Sequence, residues 1–166
     1  MASLLMNDSV LILLSEKGSW RVMDVLHRSP IRILLADSVQ RVRDAVRELI
    51  DLQSDMHVVG EAADGLTTLV LVEQLRPDLI LLDVRLEDGD GLRLAAHLRR
   101  TCPWLALVVY TANPHGDTLE AAMRAGAARF VEKGATPQTL LHALREAAAL
   151  RPLPLAGMPA LEGDRT

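Results

Sequence analysis

From Ile31 onward the chain alternates between two hydrophobic periods. Short, largely apolar runs occur at "IRILLA" (31–36), "LILL" (79–82) and "LALVVY" (105–110). Runs of this length and make-up predict strands buried on both faces. "MHVVGEA" (56–62) reads as an edge-type strand and "RFVE" (129–132) as a short one. Between them the spacing changes to that of a helix. In "SVQRVRDAVRELIDL" (38–52), Val39, Val42, Val46, Leu49 and Ile50 share a face, with Arg, Asp and Glu between them. "GLTTLVLVEQLR" (65–76) is helical up to Pro77, and "GLRLAAHLRR" (91–100) ends before Pro103. "HGDTLEAAMRAG" (115–126) offers Gly126 as a C-terminal cap. "TPQTLLHALREAAAL" (136–150) opens with Thr136 as N-cap and Pro137 at the first helical position.

Five strands and five helices in strict alternation predict an α/β fold. The expected architecture is a doubly wound five-stranded parallel sheet in the flavodoxin-like order 2-1-3-4-5. In such a sheet, ligands bind at the carboxyl ends of the strands, near the switch point between the first and third. Residues 31–150 form this predicted domain. Residues 1–30 form an N-terminal extension with an apolar stretch, a "SEKGS" turn and the amphipathic piece "WRVMDVLHRSP". Its pattern leaves an extra helix, a strand or a disordered arm open. Met23, just before the first strand, leaves a later natural start open too. Residues 151–166, "RPLPLAGMPALEGDRT", are rich in Pro and Gly and read as a flexible tail.

Composition narrows the function. The chain has 166 residues, 49% hydrophobic and 24% charged, with a formal net charge of −4. That balance gives no bulk electrostatic case for binding nucleic acid directly. Aromatics are only 2%, too few for a base-stacking platform. The one cysteine, Cys102, rules out an internal disulfide framework and reads as a small residue near a helix end. No apolar run reaches the length of a membrane span. "VLILL" (10–14) lacks the flanks of a signal peptide. The expected location is cytoplasmic.

The predicted strand ends carry Asp37, Asp83, Thr111 and Lys133. Singly, each has an ordinary explanation: a helix cap, a structural hydroxyl, a solvated ammonium. Together they fall where a doubly wound sheet builds its site. Of eighteen Lys plus Arg residues only Lys17 and Lys133 are Lys, which makes an ammonium at 133 a specific choice. The fitting chemistry is phosphoryl transfer to a carboxylate, with Asp83 as nucleophile. A carboxylate repels an anionic donor, so a divalent cation is needed. Mg²⁺ takes oxygen ligands, here Asp37, Asp83 and the backbone carbonyl of Arg85. Lys133 would neutralise one phosphoryl oxygen and the Thr111 hydroxyl would donate to another.

With these residues in view, the chain resembles the receiver domain of two-component response regulators. The resemblance covers residues 31 to about 150 and rests on "ILLAD", "PDLILLDVRLEDGDG", "VVYTA" and "GAARFVEKGATPQTLLHAL". The last two look most like receivers of the subfamily with helix-turn-helix outputs. The resemblance implies a phosphoprotein in signal transduction rather than an enzyme. It implies that Asp83 is phosphorylated by a sensor histidine kinase or a phosphotransfer protein, with Thr111 and Phe130 as switch residues. Thr111 would be drawn toward the phosphoryl group and Phe130 would turn inward. The helix 4–strand 5–helix 5 face would then change its affinity for a downstream protein, with a homodimer as a further possibility. A permanently buried ring is the other reading of Phe130.

The pattern departs from the family in several places, one of them Gly134 after Lys133, where Pro or Asp is common. The second acid after the first strand is Ser38 here, which leaves the cation one carboxylate short. Ser38 could instead serve as N-cap of the first helix. Two readings follow: a receiver phosphorylated with weaker Mg²⁺ dependence, or a phosphorylation-independent interaction module. Glu87 stands in the acidic loop where Pro is common, and Arg85 two positions after the acceptor is placed to admit or exclude water. No output domain is expected after residue 150, so the chain reads as a stand-alone receiver or a truncated one. A flavodoxin-like binding protein or Mg²⁺-dependent hydrolase fits less well. "ADSVQR" forms no Gly-rich phosphate loop, and no general acid is evident.

Overall fold

The structure is a computed structural model. It describes residues 29–112 and 116–150, and the backbone of 6–7, 10–14 and 20–24. The chain divides into two units, Met1–Pro30 and Ile31–Thr166. In the first, β1 (Met6–Asn7), β2 (Val10–Leu14) and β3 (Trp20–Asp24) pair antiparallel in the order β1-β2-β3. The "VLILL" run is therefore a strand, the outcome that its length alone left open. The tail 151–166 lies outside the described residues.

The second unit follows the predicted alternation. Its strands are β4 (Ile31–Ala36), β5 (Met56–Ala62), β6 (Leu79–Leu82), β9 (Ala106–Thr111) and β10 (Arg129–Glu132). Its helices are α1 (Gln40–Asp51), α2 (Gly65–Leu75), α3 (Gly91–Thr101), α4 (Gly116–Arg124) and α5 (Pro137–Leu150). The five strands lie parallel in the order β10-β9-β6-β4-β5, which is 2-1-3-4-5 in their own sequence order. β5 is an edge strand, as its pattern indicated. A short ribbon, β7 (Arg85–Leu86) with β8 (Gly89–Asp90), stands in the acidic loop, where the sequence suggested only the start of a helix.

Alternate residues of the central strands feed two cores, because successive side chains point to opposite faces. Ile33, Leu35, Leu79, Leu81 and Val108 pack with Val46 and Ile50 of α1 and Leu144 of α5. Leu34, Ala36, Ile80, Leu82 and Leu107 pack with Val72 of α2 and Leu98 of α3. All four residues of β6 are buried, and each contributes about 1.5–3 kcal/mol by leaving water. This anchoring makes the carboxyl end of β6 a rigid mount for Asp83.

The helix ends obey local chemistry. Gly126 has φ +92, the left-handed conformation expected of a helix-terminating glycine. Thr136 Oγ1 accepts from the Thr139 amide at 3.2 Å, as its N-cap assignment requires. Arg76 closes α2 at φ 45, directly before Pro77. Cys102 is the buried C-cap residue of α3. Among the described residues, no helix is long and apolar enough to cross a membrane.

Candidate functional site

The parallel sheet ends its strands on one side, and there it gathers the residues singled out in the sequence. Lys133 follows β10, and its backbone amide donates to the Thr111 carbonyl at 2.8 Å. Its side chain reaches across to the two acids. Lys133 Nζ stands 2.6 Å from Asp83 Oδ2 in a hydrogen-bonded ion pair and 2.5 Å from Asp37 Oδ2. Asp37, Asp83 and Thr111 are all buried, at 5%, 6% and 2% exposure. Two buried carboxylates on one ammonium is a costly arrangement to assemble for stability alone, because each charge leaves water.

Electrostatics decides the state of Lys133. Burial disfavours its charged form, but the contacts to Asp37 and Asp83 outweigh burial and hold its pKa above the ordinary lysine value. The ammonium therefore stays protonated at neutral pH. Tyr110 lies beside it, with Lys133 Nζ 5.7 Å from the ring centre. Burial raises the Tyr110 pKa; Lys133 opposes that shift and Asp37 adds to it.

Asp37 divides its two oxygens between structure and site. Oδ1 accepts from the Val39 amide at 2.9 Å and shapes the turn into α1. Oδ2 is buried and faces the Lys133 ammonium at 2.5 Å. Ser38 is not the N-cap of α1; that position is Val39, whose side chain makes no capping bond. The Ser38 hydroxyl instead donates to the Arg85 carbonyl at 3.2 Å. The helix starts one residue later than an N-cap at Ser38 would require, which frees this hydroxyl for the loop after Asp83. The Arg85 side chain is exposed.

Phe130 is neither fully buried nor free. The ring is partly buried against Val109, Ala122 and Ala127, beneath α4.

Gly91 explains how closely Asp83 is framed. A Cβ at Gly91 would fall 2.0 Å from the Asp83 carbonyl oxygen, so the start of α3 can pass this strand end only without a side chain. The Gly91 amide also donates to the Val84 carbonyl at 2.9 Å.

Sequence reasoning missed a buried arginine at the edge of this cleft. Arg43 is 8% exposed and donates to the Asp37 carbonyl, to Gln40 Oε1 and to Glu61 Oε2, the last at 3.2 Å. Arg47 pairs with the other Glu61 oxygen at 2.5 Å. The signal was present in part: Arg43 sits between Val42 and Val46 on α1, too near the apolar face to remain in solvent. Arg43, Tyr110, Asp37 and Asp83 line one small cleft.

A cation at this cleft has hard oxygen donors available. Among the described residues no group of three acidic, His or Cys side chains gathers, so its ligands would be two carboxylates and a carbonyl. The buried Asp37 Oδ2, a hard anionic oxygen beside the Asp83 carboxylate, fits Mg²⁺ in donor chemistry.

Known proteins share this framework. Residues 33–145 match the response regulator receiver domain family. The nitrate/nitrite response regulator NarL of Escherichia coli K12 is 37% identical over 123 residues, covering 74% of this chain and 57% of that protein. The uncharacterized transcriptional regulatory protein YxjL of Bacillus subtilis is 34% identical over the same length, covering 74% of this chain and 56% of that one. The chain thus spans just over half the length of these relatives. The signal receiver domain of the putative response regulator NarL from Mycobacterium tuberculosis superposes with a TM-score of 0.70 at 29% identity, covering 74% of this chain and 99% of that one. With its sheet order, its paired acids and its strand-end lysine, this chain belongs to the response regulator receiver domain family.

Proposed function

We propose that this chain is a phospho-accepting receiver whose acceptor is Asp83. The observation that carries this reading is the joint contact of Lys133 Nζ with Asp83 Oδ2 and Asp37 Oδ2 at a buried strand end. An Asp83 carboxylate oxygen attacks the phosphorus of the donor and forms an acyl phosphate. The bond from phosphorus to the donor's nitrogen or oxygen breaks, and the leaving atom keeps the electron pair. Lys133 remains protonated throughout and offers a fixed positive charge to a phosphoryl oxygen. The Thr111 hydroxyl offers a hydrogen bond to another. Asp37, Asp83 and the Arg85 carbonyl would hold Mg²⁺, which screens the charge between carboxylate and phosphoryl group. The donor class is a phosphohistidine on a sensor histidine kinase or phosphotransfer protein. The product acts by changing protein contacts at the α4–β10–α5 face, through Thr111 and Phe130, rather than by turning over a substrate. Such a module works in the cytoplasm.

The test uses Mg²⁺, a small acyl phosphate and intact mass measurement. Wild type gains one labile phosphoryl group, and Asp83→Asn gains none. Absence of an adduct on wild type, where a control receiver is labelled, would transfer the assignment to a phosphorylation-independent interaction module.

That second reading has one observation in its favour. The Ser38 hydroxyl engages the Arg85 carbonyl, where the family pattern has an acid. Ser38→Asp adds a carboxylate beside Asp37 and removes this bond. The variant is expected to reach half-maximal labelling at roughly tenfold lower Mg²⁺, the usual scale for changing one group around a metal. An unchanged Mg²⁺ requirement would remove Ser38 from the account of the cation site.

A further inference from the structure

The ribbon that carries Arg85 is held from its far side by a residue the phosphoryl chemistry does not use. Asp88 lies in the two-residue turn between β7 and β8. Its Oδ1 accepts from the Gly65 amide at 2.7 Å, and its Oδ2 accepts from the Leu66 amide at 3.1 Å. These are the first two residues of α2. The next two amides are satisfied within the helix start, Thr67 by Asp64 Oδ1 at 2.7 Å and Thr68 by the Asp64 carbonyl at 3.1 Å. The Gly65, Leu66 and Thr67 amides, which have no partner within the helix, therefore all have acceptors, and two of those bonds come from a distant loop. A helix N-terminus favours an anion, which strengthens the Asp88 contacts. Gly65 leaves the room, since a Cβ there would stand 3.3 Å from Asp88 Oδ1.

The ribbon needs such a tether. A two-stranded ribbon is marginal in water alone. Of Arg85–Asp90 only Leu86 is buried. The remaining ties across to other loops are the Glu87 amide to the Ala63 carbonyl at 3.1 Å and the Ser38 hydroxyl to the Arg85 carbonyl at 3.2 Å.

We propose that Asp88 is a positioning residue for the Asp83 pocket: by taking the Gly65 and Leu66 amides it pins the ribbon to α2 and sets where the Arg85 carbonyl stands. The proposal rests on the reading of Asp83 as phospho-acceptor. It adds a mechanical link between the pocket rim and α2.

Three variants test it: Asp88→Ala, Asp88→Asn and Glu87→Gln. Amide hydrogen exchange at Gly65 and Leu66 reads the tether. An Mg²⁺ titration followed by NMR shifts at residues 83–85 reads the rim, and acyl phosphate labelling against Mg²⁺ reads the consequence. Asp88→Ala is expected to speed exchange of both amides and to weaken Mg²⁺ binding roughly tenfold, with a parallel rise in the Mg²⁺ needed for half-maximal labelling. Asp88→Asn keeps one acceptor oxygen and falls between. Glu87→Gln removes a like charge from the same exposed turn without touching the amides, and behaves as wild type. The proposal is overturned if Asp88→Ala loosens the amides and leaves Mg²⁺ binding intact, or if Glu87→Gln loses as much as Asp88→Ala. A wild type whose residues 83–85 do not respond to Mg²⁺ overturns it as well. A wild type that binds Mg²⁺ but is never labelled defeats the phospho-acceptor reading alone, while exchange and titration still decide on Asp88. Should Asp88→Ala fail to fold, Asp88→Asn carries the same comparison.

Discussion

Gly91→Ala should disturb Asp83 more than its size suggests. The added methyl would meet the Asp83 carbonyl oxygen at 2.0 Å, and the Asp83 carbonyl carbon and Val84 Cα at 3.0 Å each. All three are backbone atoms, so no flexible side chain can move aside. Alanine's better helix propensity, worth up to about 1 kcal/mol, works in the other direction and is smaller. A net loss of about 2 kcal/mol is expected from overpacking at this contact. The strand end must shift, and a displacement of an ångström at reacting atoms costs about 10²-fold in rate. Urea unfolding and the acyl phosphate labelling rate measure the two effects separately. A variant with wild-type stability and rate would contradict the close approach of α3 to Asp83.

Lys133→Met should reveal how much the two acids depend on one cation. The Lys133 side chain is 12% exposed, and the side chains of its partners Asp37 and Asp83 are 7% and 8% exposed. Removing the ammonium leaves two buried carboxylates facing each other. In Mg²⁺-free buffer the expected loss is about 3 kcal/mol, the low end for a broken buried pair. Adding Mg²⁺ should restore part of it, since a divalent cation compensates the same charges. The pH dependence has a definite sign. The Lys133 pKa is raised in the folded state, so the folded protein holds that proton more tightly than the unfolded chain. Its stabilisation is fully present below the usual lysine value of 10.5 and is lost as pH rises through the higher folded value. The stability difference between wild type and Lys133→Met should therefore be flat from neutral pH to the usual lysine value of 10.5 and fall as pH rises from there through the folded value. A difference that vanishes near neutral pH would contradict the pairing.

Much of the fold was legible because its signals are local. "LILL" and "RFVE" match β6 and β10 residue for residue, since apolar runs and their breaks are set by neighbours in sequence. Gly126 and Thr136 announced helix ends by their own backbone and hydroxyl chemistry. The convergence of Asp37, Asp83, Thr111 and Lys133 was legible through topology: once the sheet is parallel, all its strands end on one side. What stayed hidden depends on contacts between distant residues. The ribbon at 85–90 shows no two-residue alternation long enough to declare strands. The Asp88 bonds to α2 span 22 and 23 positions, and the Ser38 bond to Arg85 spans 47. No local pattern encodes such pairings. Arg43 was hidden for a related reason, because its acceptors are Gln40, the Asp37 carbonyl and Glu61 of a neighbouring strand. The strand at residues 10–14 was ambiguous because five apolar residues are too few to separate period 2 from period 3.6.

The central claim is that a phosphoryl group comes to rest on one carboxylate, and borohydride trapping locates it. Borohydride reduces an acyl phosphate to the alcohol, so a phosphorylated aspartate becomes homoserine and releases phosphate. Wild-type protein treated with Mg²⁺ and acyl phosphate, reduced and then sequenced by peptide mass spectrometry, should carry homoserine at position 83 alone. Homoserine at Asp37 or elsewhere, or none at position 83 when a control receiver is trapped in the same reaction, would contradict the account.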